Sequence, residues 1–385
     1  MEPKRTESLT TQEREKIFLA AEQNRLERRG FTVVTVSGSN GKSTVKEMLV
    51  RILEGRRGFH FSPANLNTKT ALARQLLSLP ADARLFLAEV GARHRGDLHR
   101  AFRFLRPDVA ALLNIGHAHV AEFGGVEPLV REKLSVLSHP SPRFFVIPGD
   151  DPRPRRELQS QNRHAFTFGE SLDDAIRLLK AEAREQGWAL VYQSPLGVDE
   201  IFLHGLHRRL PANALAAIGL AVALGASREE IREGLQKWAP LPGRFSLRTL
   251  PDGRLVIEDA FNSSPESLQE GLQSLKEIRR DRPCHLILGS MLELGDAAAA
   301  HHRRAGEWIR ENLPDASVDL VGEETKALQA GLGPAPSRWF PDVTAWLRDG
   351  APFLPQVPLI YTKSSKSVGL KDIPWDDLFL APSKS

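Results

Sequence analysis

The residues of this chain that can do chemistry begin at a turn. Val33-Val34-Thr35-Val36 is a β-branched run, Ser37-Gly38-Ser39-Asn40-Gly41 is small and glycine-bearing, and Lys42-Ser43-Thr44 leads into a helical stretch from Val45 to Leu53. A strand, a glycine loop and a helix N-terminus in that order suit a phosphate. Glycines let backbone N–H groups approach an anion, the helix dipole favours its charge, a lysine reaches the terminal phosphates and a serine hydroxyl can ligate Mg²⁺. The fit to GxxxxGK[ST] is imperfect, because Val36 stands at the first glycine position. Gly38, Ser39, Asn40, Gly41, Lys42, Ser43 and Thr44 are the candidate nucleotide-binding residues.

Other polar residues follow strand-like runs. Glu89 closes the apolar stretch Arg84 to Val90; a carboxylate there is costly to bury unless paired or near a metal. It reads either as a Mg²⁺ ligand, direct or through water, or as a surface carboxylate at a fraying strand end. Asn114-Ile115-Gly116-His117-Ala118-His119 follows the next strand, and two histidines at i, i+2 make a poor zinc site without further ligands. Asn65-Leu66-Asn67-Thr68 is a polar loop before an amphipathic helix, Ala71 to Leu79. Arg93, Arg95, Arg100, Arg103 and Arg106 read as a solvated basic face, with few aromatics placed for base stacking.

The elements that must position these groups alternate. Strands are expected at Phe31 to Val36, Arg84 to Val90, Asp108 to Ile115, Phe144 to Pro148 and Ala165 to Phe168, with helices between the early ones. Continuous apolar strands separated by helices predict a mostly parallel sheet covered on both faces, with ligands at the strands' carboxyl ends. Residues 8 to 29 read as one helix, capped by Thr10-x-x-Glu13 and stopped at Gly30. Its apolar side, Ile17, Phe18, Ala20, Ala21 and Leu26, suits a strap lying on the next domain. Gly187 to Leu203 reads as paired strands, followed by helices at Ala212 to Leu224 and Ser227 to Trp238. Leu241-Pro242-Gly243-Arg244 is a hinge by composition. Beyond it, a hairpin around Pro251-Asp252-Gly253 and strands at His285 to Gly289, Val318 to Val321 and Leu359 to Thr362 predict a second, smaller α/β domain of Rossmann-like type. The expected division is residues 1–30, 31–240 and 241–385.

Composition bounds the function. The 385 residues are 41% hydrophobic and 26% charged, which excludes the disordered and membrane classes. Met1 to Arg5 leads into a charged helix without the apolar core of an export signal. The longest apolar run, Leu215 to Ala226, suits a buried helix rather than a bilayer span. A single cysteine, Cys284, rules out an internal disulfide and fits a cytoplasmic location. A net charge of +4 is mildly basic and accords with phosphorylated or carboxylate substrates; no nucleic-acid partner is expected.

Taken together, Gly38 to Thr44, Asn65 to Thr68, Glu89-Val90-Gly91-Ala92-x-His94-x-Gly96-Asp97 and Asn114-Ile115-Gly116-x-Ala118-His119 resemble, in order, the motifs of the Mur ligase family. They look most like its members that add D-alanyl-D-alanine to a UDP-muramoyl tripeptide. The likeness continues through Phe123-Gly124-Gly125 and Lys133, Pro242-Gly243-Arg244, Glu258 to Pro265, Met291-Leu292-Glu293-Leu294-Gly295 and Lys363-Ser364-Ser365-Lys366-Ser367, and covers residues 31 to about 370.

This resemblance implies an ATP-dependent ligase that activates a carboxylate as an acyl phosphate for attack by an amino acid or dipeptide amine, releasing ADP and phosphate. It implies ATP and Mg²⁺ as cofactors, with the loop from Gly38 and Lys42 on the phosphates and Ser43 and Glu89 on a first metal. His119 resembles a histidine serving a second metal, and Lys133 the lysine that the family carries as a carbamate. Lys42, His119 and Lys133 are thus the catalytic candidates. Asn65, Asn67 and Thr68 would face the acyl substrate. Asn213 alone carries over from the family's adenine-holding segment, since Gly205 to Asn213 departs from its spacing. Arg244, Asp259 and Asn262 would contact the nucleotide, and Lys363 and Ser365 the carboxylate of the incoming amine.

Departures cluster toward the C-terminus: Phe261 stands for a tyrosine, Ser264 for an asparagine, Ser290 for an aspartate, Lys366 for an arginine, and Val368-Gly369 for Met-Arg. Thr35 stands for a glycine. Muropeptide ligases also carry an N-terminal domain for the UDP moiety, where this chain has about thirty residues before the first strand. The expectation is a UDP-free substrate, recognition elsewhere, or a protein partner supplying that function. Two alternatives stand beside the muropeptide reading: a folate-type or poly-amino-acid ligase, and a nucleotide-binding module that has lost catalysis.

Overall fold

The computed structural model describes residues 9–63, 66–116, 123–351 and 354–379. Its contacts divide the chain into two units. The first runs to Glu182 and adds Ala189–Leu203 and Pro211–Trp238; the second holds Ala183–Trp188, His204–Leu210 and the chain from Ala239 onward. No described helix is long and apolar enough to cross a membrane.

The first unit opens with α1 (Thr11–Glu27), whose N-terminus carries the expected box: Thr10 accepts from the Glu13 N–H, and the Glu13 carboxylate accepts from the Thr10 N–H. Phe18 and Ala21 are buried, and Phe18 stacks on Phe104 at 5.4 Å. Leu26, expected on the apolar side, is exposed, as is Ala20. Two arginines replace them as anchors. Arg25 donates to the Leu105 carbonyl and to Asp108 (2.7 Å), and Arg28 donates to the Leu79 and Pro80 carbonyls. These bonds satisfy carbonyls at the ends of the neighbouring helices, which an apolar side chain would leave unpaired.

After α1 the elements are β1 (Thr32–Ser37), α2 (Lys42–Ile52), β2 (Phe59–Phe61), α3 (Lys69–Ser78), β3 (Leu85–Glu89), α4 (Asp97–Leu105), β4 (Val109–Leu112), α5 (Val126–Ser138), β5 (Phe144–Pro148), α6 (Pro152–Ser160), β6 (Ala165–Gly169), β7 (Ile176–Arg184), β8 (Gly187–Ser194), β9 (Gly197–His204), α7 (Leu210–Ala223) and α8 (Arg228–Lys237). One sheet takes them in the order β2-β3-β1-β4-β5-β6-β7-β8-β9. β1 lies parallel between β3 and β4, with Val36 opposite Glu89 and Ser37 opposite Leu112. Every residue of β1 after Thr32 is buried, as a strand covered on both faces requires. β2 and β7 were not expected. β2 is only three residues long, and β7 reads Ile-Arg-Leu-Leu-Lys-Ala-Glu-Ala-Arg, a run of helix formers that strand pairing overrides.

The second unit contains β10 (Ser246–Thr249), β11 (Leu255–Asp259), α9 (Pro265–Arg279), β12 (Cys284–Gly289), α10 (Ala298–Asn312), β13 (Ser317–Val321), α11 (Thr325–Leu332), β14 (Ser337–Phe340) and β15 (Leu359–Lys363). Its sheet has the order β10-β11-β15-β12-β13-β14 and is parallel except for the β10–β11 hairpin. A fully buried carboxylate, Asp319, sits on β13. It accepts from Arg338 (2.8 and 2.7 Å) and from the Trp346 indole (2.8 Å), and lies 3.2 Å from His285. Burial pushes this carboxyl's pKa up, but the close approach of His285 and the hydrogen bonds from Arg338 and Trp346 outweigh it and hold the pKa below the usual range. Asp319→Ala leaves those donors without their acceptor and is expected to cost about 3 kcal/mol of stability, read as a lower urea midpoint at unchanged slope.

Candidate active site

The loop between β1 and α2 lies at the carboxyl edge of the first sheet, where β3 and β4 flank it. Its two glycines are held to their type by geometry. Gly38 has φ 145° and a Cβ there would meet Leu113 at 3.1 Å; Gly41 has φ 82° and a Cβ there would fall 2.5 Å from the Asn213 amide oxygen. Asn213, on α7, therefore packs directly on the loop.

Asn114 fastens the loop from the other side. Its amide oxygen accepts from the Ser39 and Asn40 N–H groups (3.1 and 2.9 Å), and its amide nitrogen donates to the Asn40 carbonyl (3.0 Å). The Gly116 N–H donates to Ser39 Oγ at 2.9 Å. Two backbone donors expected to face phosphate thus face Asn114. The first turn of α2, whose N–H groups have no partners within the helix, has donors suited to face an anion. The Lys42 ammonium bends back over the loop and donates to the Gly38 and Ser39 carbonyls (2.9 and 2.8 Å). Thr44 follows in the helix, partly buried.

Beside the loop, Ser43 Oγ donates to one Glu89 carboxylate oxygen at 2.7 Å and the Asn67 amide donates to the other at 2.9 Å. Glu89 is 3% exposed, and among the described residues no cation pairs with it. A buried carboxylate, a serine hydroxyl and an amide form a hard oxygen donor set that fits Mg²⁺. Among the described residues no group of three His, Cys, Asp or Glu gathers as a softer metal would need. Thr68 caps α3, accepting from the Ala71 N–H. His119 and Asn65 lie outside the described residues.

Lys133, on α5, is 3% exposed and reaches the same Gly38 carbonyl at 3.5 Å. Burial, and then the neighbouring Lys42 charge, bring its pKa from 10.5 down to about 7, against the opposing pull of Glu132. The adjoining loop is held by two carboxylates: Glu132, which stands in no motif, and Asp97, which ends the motif that begins at Glu89. Glu132 accepts from the Gly96 and Leu98 N–H groups (2.7 and 2.9 Å), while Asp97 accepts from the Arg93 and His94 N–H groups and pairs with Lys69. Most of their partners are backbone groups, which no side-chain motif announces, while the Asp97–Lys69 pair joins side chains far apart in sequence.

In the second unit, Lys363 is 3% exposed and donates to Asp259 (2.7 Å) and to the Asn262 carbonyl (3.2 Å); the Tyr361 hydroxyl donates to the same Asp259 oxygen at 3.1 Å. Burial pushes the Asp259 carboxyl up, and Lys363 draws it back. Arg244 stacks over the Phe261 ring at 4.1 Å. Ser365 Oγ accepts from the Leu292 N–H at 2.9 Å, and the Asn262 side chain is exposed.

Known proteins match this chain over most of its length. The family model for the Mur ligase middle domain matches residues 36–221, and that for the Mur ligase glutamate ligase domain matches residues 243–349. The chain is 27% identical over 294 residues to the UDP-N-acetylmuramoyl-tripeptide–D-alanyl-D-alanine ligase of Bacillus subtilis, covering 75% of this chain and 63% of that protein. With the Escherichia coli ligase of that name it shares 28% over 346 residues, 89% of this chain and 75% of that one. A crystal structure of MurF from Acinetobacter baumannii superimposes with a TM-score of 0.84 at 26% identity, over 94% of this chain and 80% of that one. The folylpolyglutamate synthase of Mycobacterium tuberculosis shares the fold, with a TM-score of 0.70 at 19% identity, over 96% of this chain and 95% of that one. With both domain models matched in sequence order across the two units, this chain belongs to the Mur ligase family.

Proposed function

We propose that the chain is an ATP-dependent, ADP-forming ligase that joins a peptide-like carboxylate to the amine of an amino acid or dipeptide. The observation that carries this reading is the buried Glu89, unpaired with any described cation, held by Ser43 and Asn67 at the foot of a phosphate loop. A substrate carboxylate oxygen attacks the γ-phosphorus, the bond to the bridging oxygen breaks, and ADP leaves. The amine then attacks the acyl carbon, the acyl–phosphate bond breaks, phosphate leaves and the nitrogen gives up a proton.

Little of this needs covalent help from protein; it needs charge placed where charge develops. Lys42 and the first turn of α2 hold the phosphates, and Asn213 lies toward the adenine. Ser43 and Glu89 hold Mg²⁺, which when bound neutralises phosphoryl charge. His119 and Lys133 serve a second cation. A lysine ammonium repels a metal, but a pKa near 7 leaves much of Lys133 as the free amine at neutral pH. A free amine adds CO₂ and loses a proton to become a carbamate, an oxygen ligand. Asn65, Asn67 and Thr68 face the acyl substrate; Arg244, Asp259 and Asn262 serve the nucleotide, and Lys363 and Ser365 the amine's carboxylate.

Purified protein given ATP, Mg²⁺, UDP-N-acetylmuramoyl-tripeptide and D-alanyl-D-alanine is expected to release ADP and phosphate in equal amounts, and only when acid and amine are both present. Turnover of a folate with glutamate instead moves the reading to the second class of acid. AMP formation, or no nucleotide binding, overturns it.

A further inference from the structure

One buried polar side chain near the loop has neither a part in the chemistry above nor a place in the bonding already described. Lys46 lies one helical turn beyond Lys42 on α2 and is fully buried. Its ammonium donates to the Ser62 carbonyl at 2.8 Å and lies 3.2 Å from the partly exposed Glu47 carboxylate. Taking an ammonium out of water is expensive, and a methionine would fill the same volume. What methionine lacks is the donor that the Ser62 carbonyl receives.

Ser62 is itself 1% exposed and is gripped on three sides. Its carbonyl takes Lys46, its N–H donates to the Leu87 carbonyl at 2.8 Å, and its hydroxyl accepts from the Glu89 N–H at 3.1 Å. Ser62 directly follows β2, which pairs with β3 through Phe59–Phe61, and its own N–H bond to Leu87 extends that pairing by one residue. Lys46 is the tether that continues the hold. The same segment leads to Asn67, whose amide fixes the Glu89 carboxylate. Glu89 is therefore located twice: at its backbone by Ser62 and at its side chain by Asn67.

We propose that Lys46 is a positioning residue that sets Glu89 through Ser62, and with it the affinity of the site for the divalent cation. The proposal rests on the reading of Glu89 under Proposed function. It concerns distance and orientation: the Lys46 ammonium is engaged by the Ser62 carbonyl and Glu47, and its removal is expected to leave the loop Gly38–Gly41, Lys42 and Asn213 in place.

The test uses the full chain, Mn²⁺ as the probe cation and a non-hydrolysable ATP analogue. Mn²⁺ binding is followed by electron paramagnetic resonance, and metal-free analogue binding by calorimetry. Lys46→Met is expected to weaken Mn²⁺ binding about 10- to 100-fold, as loss of a group supporting a metal ligand does, with metal-free analogue binding unchanged. Ser62→Ala, which removes the hydroxyl that receives the Glu89 N–H, is expected to act in the same direction. In the double variant the two losses are less than additive, because both run through one residue. Wild-type Mn²⁺ affinity in Lys46→Met, or equal losses in metal and metal-free binding, overturns the proposal by showing a packing role. Should Lys46→Met not fold, Ser62→Ala decides: unchanged Mn²⁺ affinity there overturns it. A wild-type protein that binds the analogue but no Mn²⁺ instead refutes the Glu89 reading on which the proposal stands.

Discussion

Lys42→Met is expected to lower kcat/KM for ATP by about 10²- to 10³-fold, the loss that follows removal of one preorganised donor to developing charge. The variant keeps the helix, since methionine is a good helix former. It loses the ammonium that now spans the Gly38 and Ser39 carbonyls. Gly38 is buried and Ser39 half-buried, but the Gly38 carbonyl keeps a second donor in Lys133, so the melting temperature should fall far less than catalysis does. Amine-dependent ADP release gives the rate, and circular dichroism the fold. A variant with near wild-type turnover removes Lys42 from the phosphoryl step.

Lys133→Ala is expected to abolish turnover, to below about 10⁻³ of wild type, with partial return on adding acetate or propionate as small carboxylates that occupy the place of a carbamate. Full activity counts against any metal role for the residue. A second readout concerns stability in CO₂-depleted buffer. The folded lysine keeps its proton only to about pH 7, whereas the unfolded one keeps it to about 10.5. Between those values the unfolded chain binds more protons, so stability rises with pH, by an amount on the order of a few kcal/mol across the window. Below pH 7 both states are protonated and the full cost of the buried charge is present. Lys133→Ala should flatten that rise, which urea unfolding at pH 7 and pH 9.5 measures against wild type.

Local signals in the sequence were enough where the interaction is local. The Thr10–Glu13 box spans three residues and forms as expected, and the strand, glycine loop and helix around Lys42 follow from adjacent residues. Glu89 was legible as a strand-end carboxylate in need of a partner, although its partners Ser43 and Asn67 come from separate elements. Non-local groups were not legible. Lys46 sits inside a helix read correctly, but nothing in Val45 to Leu53 says that its ammonium will be sealed under the Ser62 carbonyl. Arg103 and Arg106 lie on a face that is solvated, as read, and there they also meet Glu15 and Glu22 of α1. That pairing depends on where a distant helix lies, and no periodicity within the run encodes it.

One pair in the second unit changes how two ligands must be thought of. Asp259 and Lys363, proposed above to serve nucleotide and amine respectively, share one short bond across adjacent parallel strands. Whatever recruits the lysine loosens its hold on the carboxylate, and whatever satisfies the carboxylate frees the lysine. Occupancy at the two places is then thermodynamically linked, and linkage is reciprocal: each molecule tightens the other by the same factor. Affinity measured for either one alone will understate what the enzyme shows when both are present.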